Sequence, residues 1–149
     1  MALPTGSGTE TIHAHHFDDV DATQTLIFGV KHHVYTVLSV IVYCVALDAT
    51  SDIMYIYLEG HSGHQGTSGN VHYLTSANLQ VTETFVWNDK FSFNGAEPAG
   101  TNVLSASEQV AIAAQSGSAV QELQFSMTSA DGGGQGYDIH CTYLDQDWT

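Results

Sequence analysis

The chain contains no arginine and only two lysines, Lys31 and Lys90, against sixteen aspartate and glutamate residues. Proteins that bind nucleic acid neutralise its phosphates with lysine and arginine, and anionic membrane surfaces attract the same two residue types. A chain with a formal net charge of -14 is repelled by both. The shortage of basic residues therefore excludes phosphate recognition, and we expect neither nucleic acid nor a membrane among the partners.

Long apolar segments are also missing. The opening stretch MALPTGSGTE has neither a basic nor an apolar region, and no uninterrupted apolar run reaches the roughly 18 residues that a membrane span requires. We therefore expect synthesis in the cytoplasm. Cysteine is equally scarce: Cys44 and Cys141 lie in apolar, strand-like surroundings without Cys-x-x-Cys spacing, which favours two buried thiols. A disulfide bond between them is an alternative that the sequence leaves open.

The sequence is rich in alternation of apolar and polar residues with a period of two, with turn residues between the alternating segments. Eight segments fit β-strands: 9–17, 23–30, 32–47, 52–61, 71–81, 83–95, 119–130 and 137–146. We predict an all-β chain that folds as an antiparallel two-sheet sandwich of jelly-roll type. Residues 1–20 are predicted to form an N-terminal arm or edge strand, and residues 21–149 the sandwich domain.

The shared phases of these segments predict the core. The residues expected in or near it are Leu38, Val40, Val42, Phe85, Trp87, Phe91, Leu123, Phe125 and Ile139. Asp89 interrupts an aromatic segment, so a bend or bulge is expected there. One short helix is predicted over residues 105–115, because serines can cap its start and Gly117 follows its end.

The segment 34–47, VYTVLSVIVYCVAL, is apolar in both phases of its alternation. An antiparallel strand that is apolar on both sides is expected to be covered twice, once by its own core and once by another subunit or element. The turn DATSD at 48–52 and the next segment predict a hairpin with this strand. Tyr55 and Tyr57 give the second strand an aromatic outer side, a composition that interfaces favour.

The stretch ETIHAHHFDD, residues 10–19, raises the question of a metal site, because His13 and His15 would lie on one face of a strand. Together with GHSGH at 60–64 it could supply four histidines. Cupins, small metal-binding β-barrels, also have a His-x-His pair, but the glutamate that follows in their motif and their second motif are absent here. We therefore interpret the histidines as polar arm and loop residues, with a structural metal as the alternative.

No segment shows an arrangement of nucleophile, base and orienting group, and the glycine-rich stretches lack the lysine and helix of a phosphate loop. The sequence accordingly assigns no catalytic, cofactor-binding or metal-binding residue. We expect no enzymatic activity and no cofactor.

From Tyr35 onward the sequence resembles small bacteriophage virion proteins of the β-sandwich type. The pieces that carry the resemblance occur in the same order: VYTVLSVIV, DIMYIYLEG, VHYLTSANL, FVWNDKFSFNG and YDIHCTYLDQDW. A composition without arginine and a surface rich in glycine, threonine and serine agree with it. The predicted helix 105–115 departs from the family pattern.

The resemblance implies a structural virion protein, most simply a decoration protein on the exterior of the capsid. Its partners would be the major capsid protein and copies of itself, with a homotrimer as the expected oligomer. An acidic chain fits the outside of a shell better than the side that faces packaged DNA. The alternatives are a tail or fibre component and a small cupin-like metal-binding enzyme.

Overall fold

The computed structural model describes residues 9–47, 52–62, 67–96, 120–128 and 134–147, without the side chains of 61–62 and 67–70. Nine β-strands occur in these ranges: β1 (Thr9–Val20), β2 (Gln24–Phe28), β3 (His33–Ala46), β4 (Ile53–Ser62), β5 (Thr67–Asn78), β6 (Thr84–Trp87), β7 (Phe91–Asn94), β8 (Glu122–Met127) and β9 (Gly136–Asp147). The all-β prediction is confirmed. The helix predicted at 105–115 lies outside the described residues, and inside them no helix is long and apolar enough to cross a membrane.

The strands form two antiparallel sheets, as the sandwich prediction requires. Sheet 1 has the order β1-β9-β3-β6, with β7 also paired to β3, and sheet 2 has the order β2-β8-β4-β5. The pairings are nested along the chain: β1 with β9, β2 with β8, β3 with β6 and β7, and β4 with β5. The first part of the chain therefore pairs antiparallel with the last part, and successive segments of this long pair lie in sheet 1 and sheet 2.

The hairpin predicted between the two strands around 48–52 is wrong. β3 pairs with β9, β6 and β7 in sheet 1, whereas β4 pairs with β5 and β8 in sheet 2. The alternation of a strand determines which of its side chains face inward, and Val42 and Met54 are both fully buried. The alternation does not determine which strand pairs with which. Here the chain crosses from sheet 1 to sheet 2 between β3 and β4.

A β-bulge in β3 changes the phase of the residues that face the core. Its register against β9 shifts between Val37 and Ser39, so that one extra residue, Leu38, is inserted. The buried residues are Tyr35 and Val37 before the bulge and Val40 and Val42 after it. An inserted residue moves all following side chains to the other face. The bulge therefore divides the strand into two parts whose inward residues belong to opposite phases of the alternation.

The core lies between the inner sides of the two sheets. Of the nine residues predicted in or near it, five are fully buried: Val40, Val42, Leu123, Phe125 and Ile139. Leu38, at the bulge of β3, is half-buried, and the remaining three are partly buried and pack against the core: Phe85, Trp87 and Phe91. These three belong to β6 and β7, which lie at the edge of sheet 1. The predicted break at Asp89 separates β6 from β7, and the indole N–H of Trp87 donates to its carbonyl at 2.8 Å.

One charged side chain, Asp52, lies fully buried among the apolar residues. Its carboxylate accepts hydrogen bonds from the Tyr137 hydroxyl at 2.9 Å and from the Thr128 hydroxyl at 2.6 Å. Asp52 precedes β4 in sheet 2, whereas Tyr137 belongs to β9 in sheet 1, so the first bond joins the two sheets. Burial, followed by this bond, raises the pKa of Tyr137 above its ordinary value.

We expect Tyr137→Phe to lower the free energy of unfolding by about 1 to 3 kcal/mol, because the buried carboxylate of Asp52 loses a donor and cannot recover it from water. Urea denaturation at neutral pH measures this. Tyr73→Phe is the matched control, since Tyr73 is 67% exposed, and it should change stability by less than about 0.5 kcal/mol. Equal effects of the two variants would contradict the importance of the Asp52 contact.

Both cysteines are free and buried, and neither is expected to react in the folded chain. Burial raises the pKa of Cys141 to about 12. Burial also raises the pKa of Cys44, with the nearby charges of Asp52 and Glu83 as smaller causes. Because the thiolate is the reactive form, Ellman's reagent at about pH 8 should label no thiol in the native protein and both thiols in denaturant. Rapid labelling of the native chain would show that the sandwich opens easily.

Candidate interaction surface

The outward side of sheet 1 presents side chains in rows that cross four strands. Residues paired between antiparallel strands point to the same side. Because Val42 and Ile139 face the core, their neighbours face outward. One row is Val86, Ile41, His140 and His16, and another is Ser92, Thr36, Leu144 and Ile12. We call the whole outward side of sheet 1, with these rows and the rows between and beside them, the outer surface of sheet 1.

Several large apolar side chains on the outer surface of sheet 1 are exposed. Ile12 is 66% exposed, Val86 55% and Tyr43 36%. The row between the two already named consists of small uncharged residues, Ala14, Thr142 and Ser39. Across these three rows no side chain is aspartate, glutamate, lysine or arginine. A flat surface of this kind favours contact with another protein surface over contact with water.

The two ends of the outer surface of sheet 1 are acidic. At one end Glu10 accepts a hydrogen bond from the side-chain amide of Gln146 at 2.7 Å. At the other end β1 bulges, so that Asp18 and Asp19 stand opposite one residue of β9, Asp138. The backbone N–H of Asp19 donates to the Asp138 carboxylate at 3.0 Å. Hydrogen bonding to Asp138, and then charge repulsion from it, raise the pKa of Asp18.

The histidines of ETIHAHHFDD divide between the two sides of sheet 1. His13 and His15 pair with Tyr143 and Cys141 and face inward, as predicted for a His-x-His pair on a strand. Their ring centroids are 5.7 Å apart, and His13 stacks on the Tyr143 ring at 5.1 Å. His16 faces outward. The stretch GHSGH, which sequence reasoning combined with these histidines, has both of its histidine side chains outside the described ones.

Sequence reasoning missed a polar cluster at the open end of the core. His33 Nδ1 lies 2.7 Å from Asp145 Oδ1, and His13 Nε2 lies 3.7 Å from the other oxygen of that carboxylate. Tyr35 stacks beside His33 at 6.0 Å between ring centroids. Burial, followed by the charge of Asp145, raises the pKa of Tyr35 to about 12. No local sequence pattern predicts this cluster, because its members come from three strands that are distant in sequence: β1, β3 and β9.

The outward side of sheet 2 carries the aromatic residues predicted for an interface, but they are partly covered. Tyr57 is 9% exposed, and its hydroxyl donates to the Gln124 side-chain carbonyl at 2.7 Å. Tyr73 packs beside Tyr55 with ring centroids 5.3 Å apart and is itself exposed. The burial of Tyr57 leaves a smaller apolar area on sheet 2 than the sequence predicted. On this side Glu122 and Glu59 also stand between the exposed Phe28 and Val71. The outer surface of sheet 1, with three rows that lack charged side chains, is the better candidate for contact with a partner.

No protein-family model matches the chain, and no curated protein sequence matches it. Among solved structures, it is similar to a chain of the infectious bursal disease virus Gx strain at 8% identity and a TM-score of 0.46, over 95% of this chain and 33% of that chain. A chain of the T13 viral particle of the same virus aligns at 6% identity with a TM-score of 0.40, covering 96% and 36%. A chain of the Gt strain aligns at 12% identity with a TM-score of 0.39, covering 95% and 34%.

The chain therefore spans about a third of the length of each of these viral chains. Similarities at this level are too distant to assign a function. The fold itself defines the class: an all-β protein of two antiparallel sheets with exposed apolar side chains on the outer surface of sheet 1.

Proposed function

We propose that the chain is a structural virion protein, a decoration protein that binds the exterior of a bacteriophage capsid and stabilises its shell. Its partners are the major capsid protein and two further copies of itself in a homotrimer. The observation that carries this proposal is the outer surface of sheet 1, where Ile12 and Val86 are exposed on either side of the small uncharged row Ala14, Thr142 and Ser39.

Contact through the outer surface of sheet 1 removes these side chains from water. A closed symmetric oligomer covers such a surface without leaving a further apolar face open, and a trimer matches the three-fold positions of an icosahedral shell. Acidic residues lie at the two ends, at Glu10 and at Asp18, so the contact itself brings few like charges together. At a net charge of -14, apolar and hydrogen-bonded contacts rather than charge attraction hold the assembly.

The nested strand pairing supports the jelly-roll type of sandwich. A jelly roll is a long antiparallel hairpin wrapped into two sheets. In it the first strand pairs with the last, the second with the last but one, and the innermost strands with each other, as β1 with β9, β2 with β8 and β4 with β5 do here. Jelly rolls serve viral capsid proteins, lectins and cupins, so the fold alone does not choose among them. The space between the sheets is filled by buried side chains such as Val37, Phe125 and Ile139. A filled core favours a structural protein over a cupin-like enzyme, which needs room for a substrate.

Replacement of one exposed valine tests the outer surface of sheet 1. Val86→Lys places a charge on this surface and should convert the purified oligomer into a monomer, because a buried unpaired lysine is costly at an apolar contact. Analytical ultracentrifugation over a range of concentrations measures the change. Val71→Lys is the matched control: it makes the same substitution at an exposed edge-strand position of sheet 2 and should leave the oligomer intact. A wild-type chain that is monomeric throughout, or an equal response of both variants, would refute the assembly.

The location of the protein can be tested directly on purified particles. Mass spectrometry should find the chain in heads, and particles that lack its gene should lose their DNA at lower temperature or after milder osmotic shock. The physical reason is that a protein bound across capsid subunits adds contacts that must break before the shell opens. Presence in tails alone would favour a tail or fibre component. Absence from particles would exclude a virion role.

A further inference from the structure

We propose that His16, Asp18 and Asp138 form a binding site for one divalent transition-metal ion at the acidic end of the outer surface of sheet 1 where β1 bulges. The sequence analysis considered a metal in the stretch 10–19 through His13 and His15, which lie on the other side of sheet 1. The site is independent of the virion role, because it needs only one chain.

The geometry of the three side chains is close to that of a metal site. Each offers one ligand atom, and these atoms all lie within 4.8 Å of one another. Ligands at about 2.0 to 2.2 Å from a zinc ion lie roughly 3.3 to 4 Å from each other, so a modest closure of the group would surround an ion. Such closure needs only a small adjustment of His16 and Asp18, which are both exposed.

The backbone brings the three ligands together from two distant parts of the chain. His16 and Asp18 are two residues apart on β1, so they point to the same side of sheet 1. Asp138 stands opposite Asp18 on β9, at the position where the register between the strands shifts. The extra residue of the bulge is Asp19, which has a positive φ of 52° and directs its N–H to the Asp138 carboxylate.

Neighbouring groups also hold the ligands in orientation. The ring of His16 stacks on that of His140, with centroids 4.2 Å apart and an angle of 12° between the planes. The N–H of Asp19 orients the Asp138 carboxylate from the backbone. Groups that orient metal ligands in this way commonly raise affinity. They distinguish this set from an ordinary patch of surface carboxylates, as does the imidazole itself.

The donor set selects the class of ion. One imidazole nitrogen and two carboxylate oxygens suit Zn²⁺ and related first-row ions better than Mg²⁺ or Ca²⁺, which prefer oxygen ligands alone. Two carboxylates balance the charge of a divalent ion. Three protein ligands leave a coordination position for water. An ion bound here would join the C-terminal end of the edge strand β1 to the N-terminal end of β9. It would also reduce the repulsion between Asp18 and Asp138.

Isothermal titration calorimetry of the EDTA-treated full chain with ZnCl₂, in the presence of excess Mg²⁺ to occupy weak acidic sites, tests the proposal. His16→Ala and Asp18→Asn should each lower the affinity of one zinc equivalent at least tenfold. The matched controls are His72→Ala and Asp21→Asn, which change exposed residues elsewhere and should bind zinc as the wild type does. Zinc held by other histidines of the chain contributes equally to all five proteins.

Thermal unfolding supplies a second readout that a folding defect cannot imitate. Zinc should raise the Tm of the wild type and of both controls, but not that of Asp18→Asn. Without metal, Asp18→Asn should melt no lower than the wild type, since it removes one of two adjacent carboxylates. Equal zinc affinity in the wild type, His16→Ala and Asp18→Asn would overturn the proposal, as would an equal loss in the two controls.

Discussion

The antiparallel ladder between β3 and β9 is the contact on which the remaining structure depends. β9 is the last described strand, yet it lies inside sheet 1 and pairs with β3 on one edge and β1 on the other. Without it, β1 has no partner and the two ends of the described chain do not meet. Pairing between segments so distant in sequence requires closure of the long intervening loop, which is entropically costly.

The same ladder builds the outer surface of sheet 1. Each row of outward side chains crosses β9, so the exposed residues of β1 and β6 become one surface only when β9 lies between them. His16 and Asp138 likewise meet only through the register of β1 with β9. The two ladders of β9 thus have different roles: the pairing with β3 and the pairing with β1 together build the proposed assembly surface, and the pairing with β1 positions the proposed metal site.

Asp52 connects the two sheets by hydrogen bonds inside an apolar core. A buried carboxylate is strongly unfavourable unless donors replace its lost water. The hydroxyls of Thr128 and Tyr137 do so here, from sheet 2 and sheet 1 respectively. Such bonds have strict geometry, so they align the sheets more narrowly than apolar contacts do.

Much of the fold could be predicted from the sequence, because alternation is a local property. It located the strands, the break at Asp89 and the inward positions of Val42 and Ile139. Partners and registers are not local, since they depend on segments far away in the chain. Only the tertiary structure therefore separated β3 from β4, inserted Leu38 as a bulge, and brought Asp138 to His16.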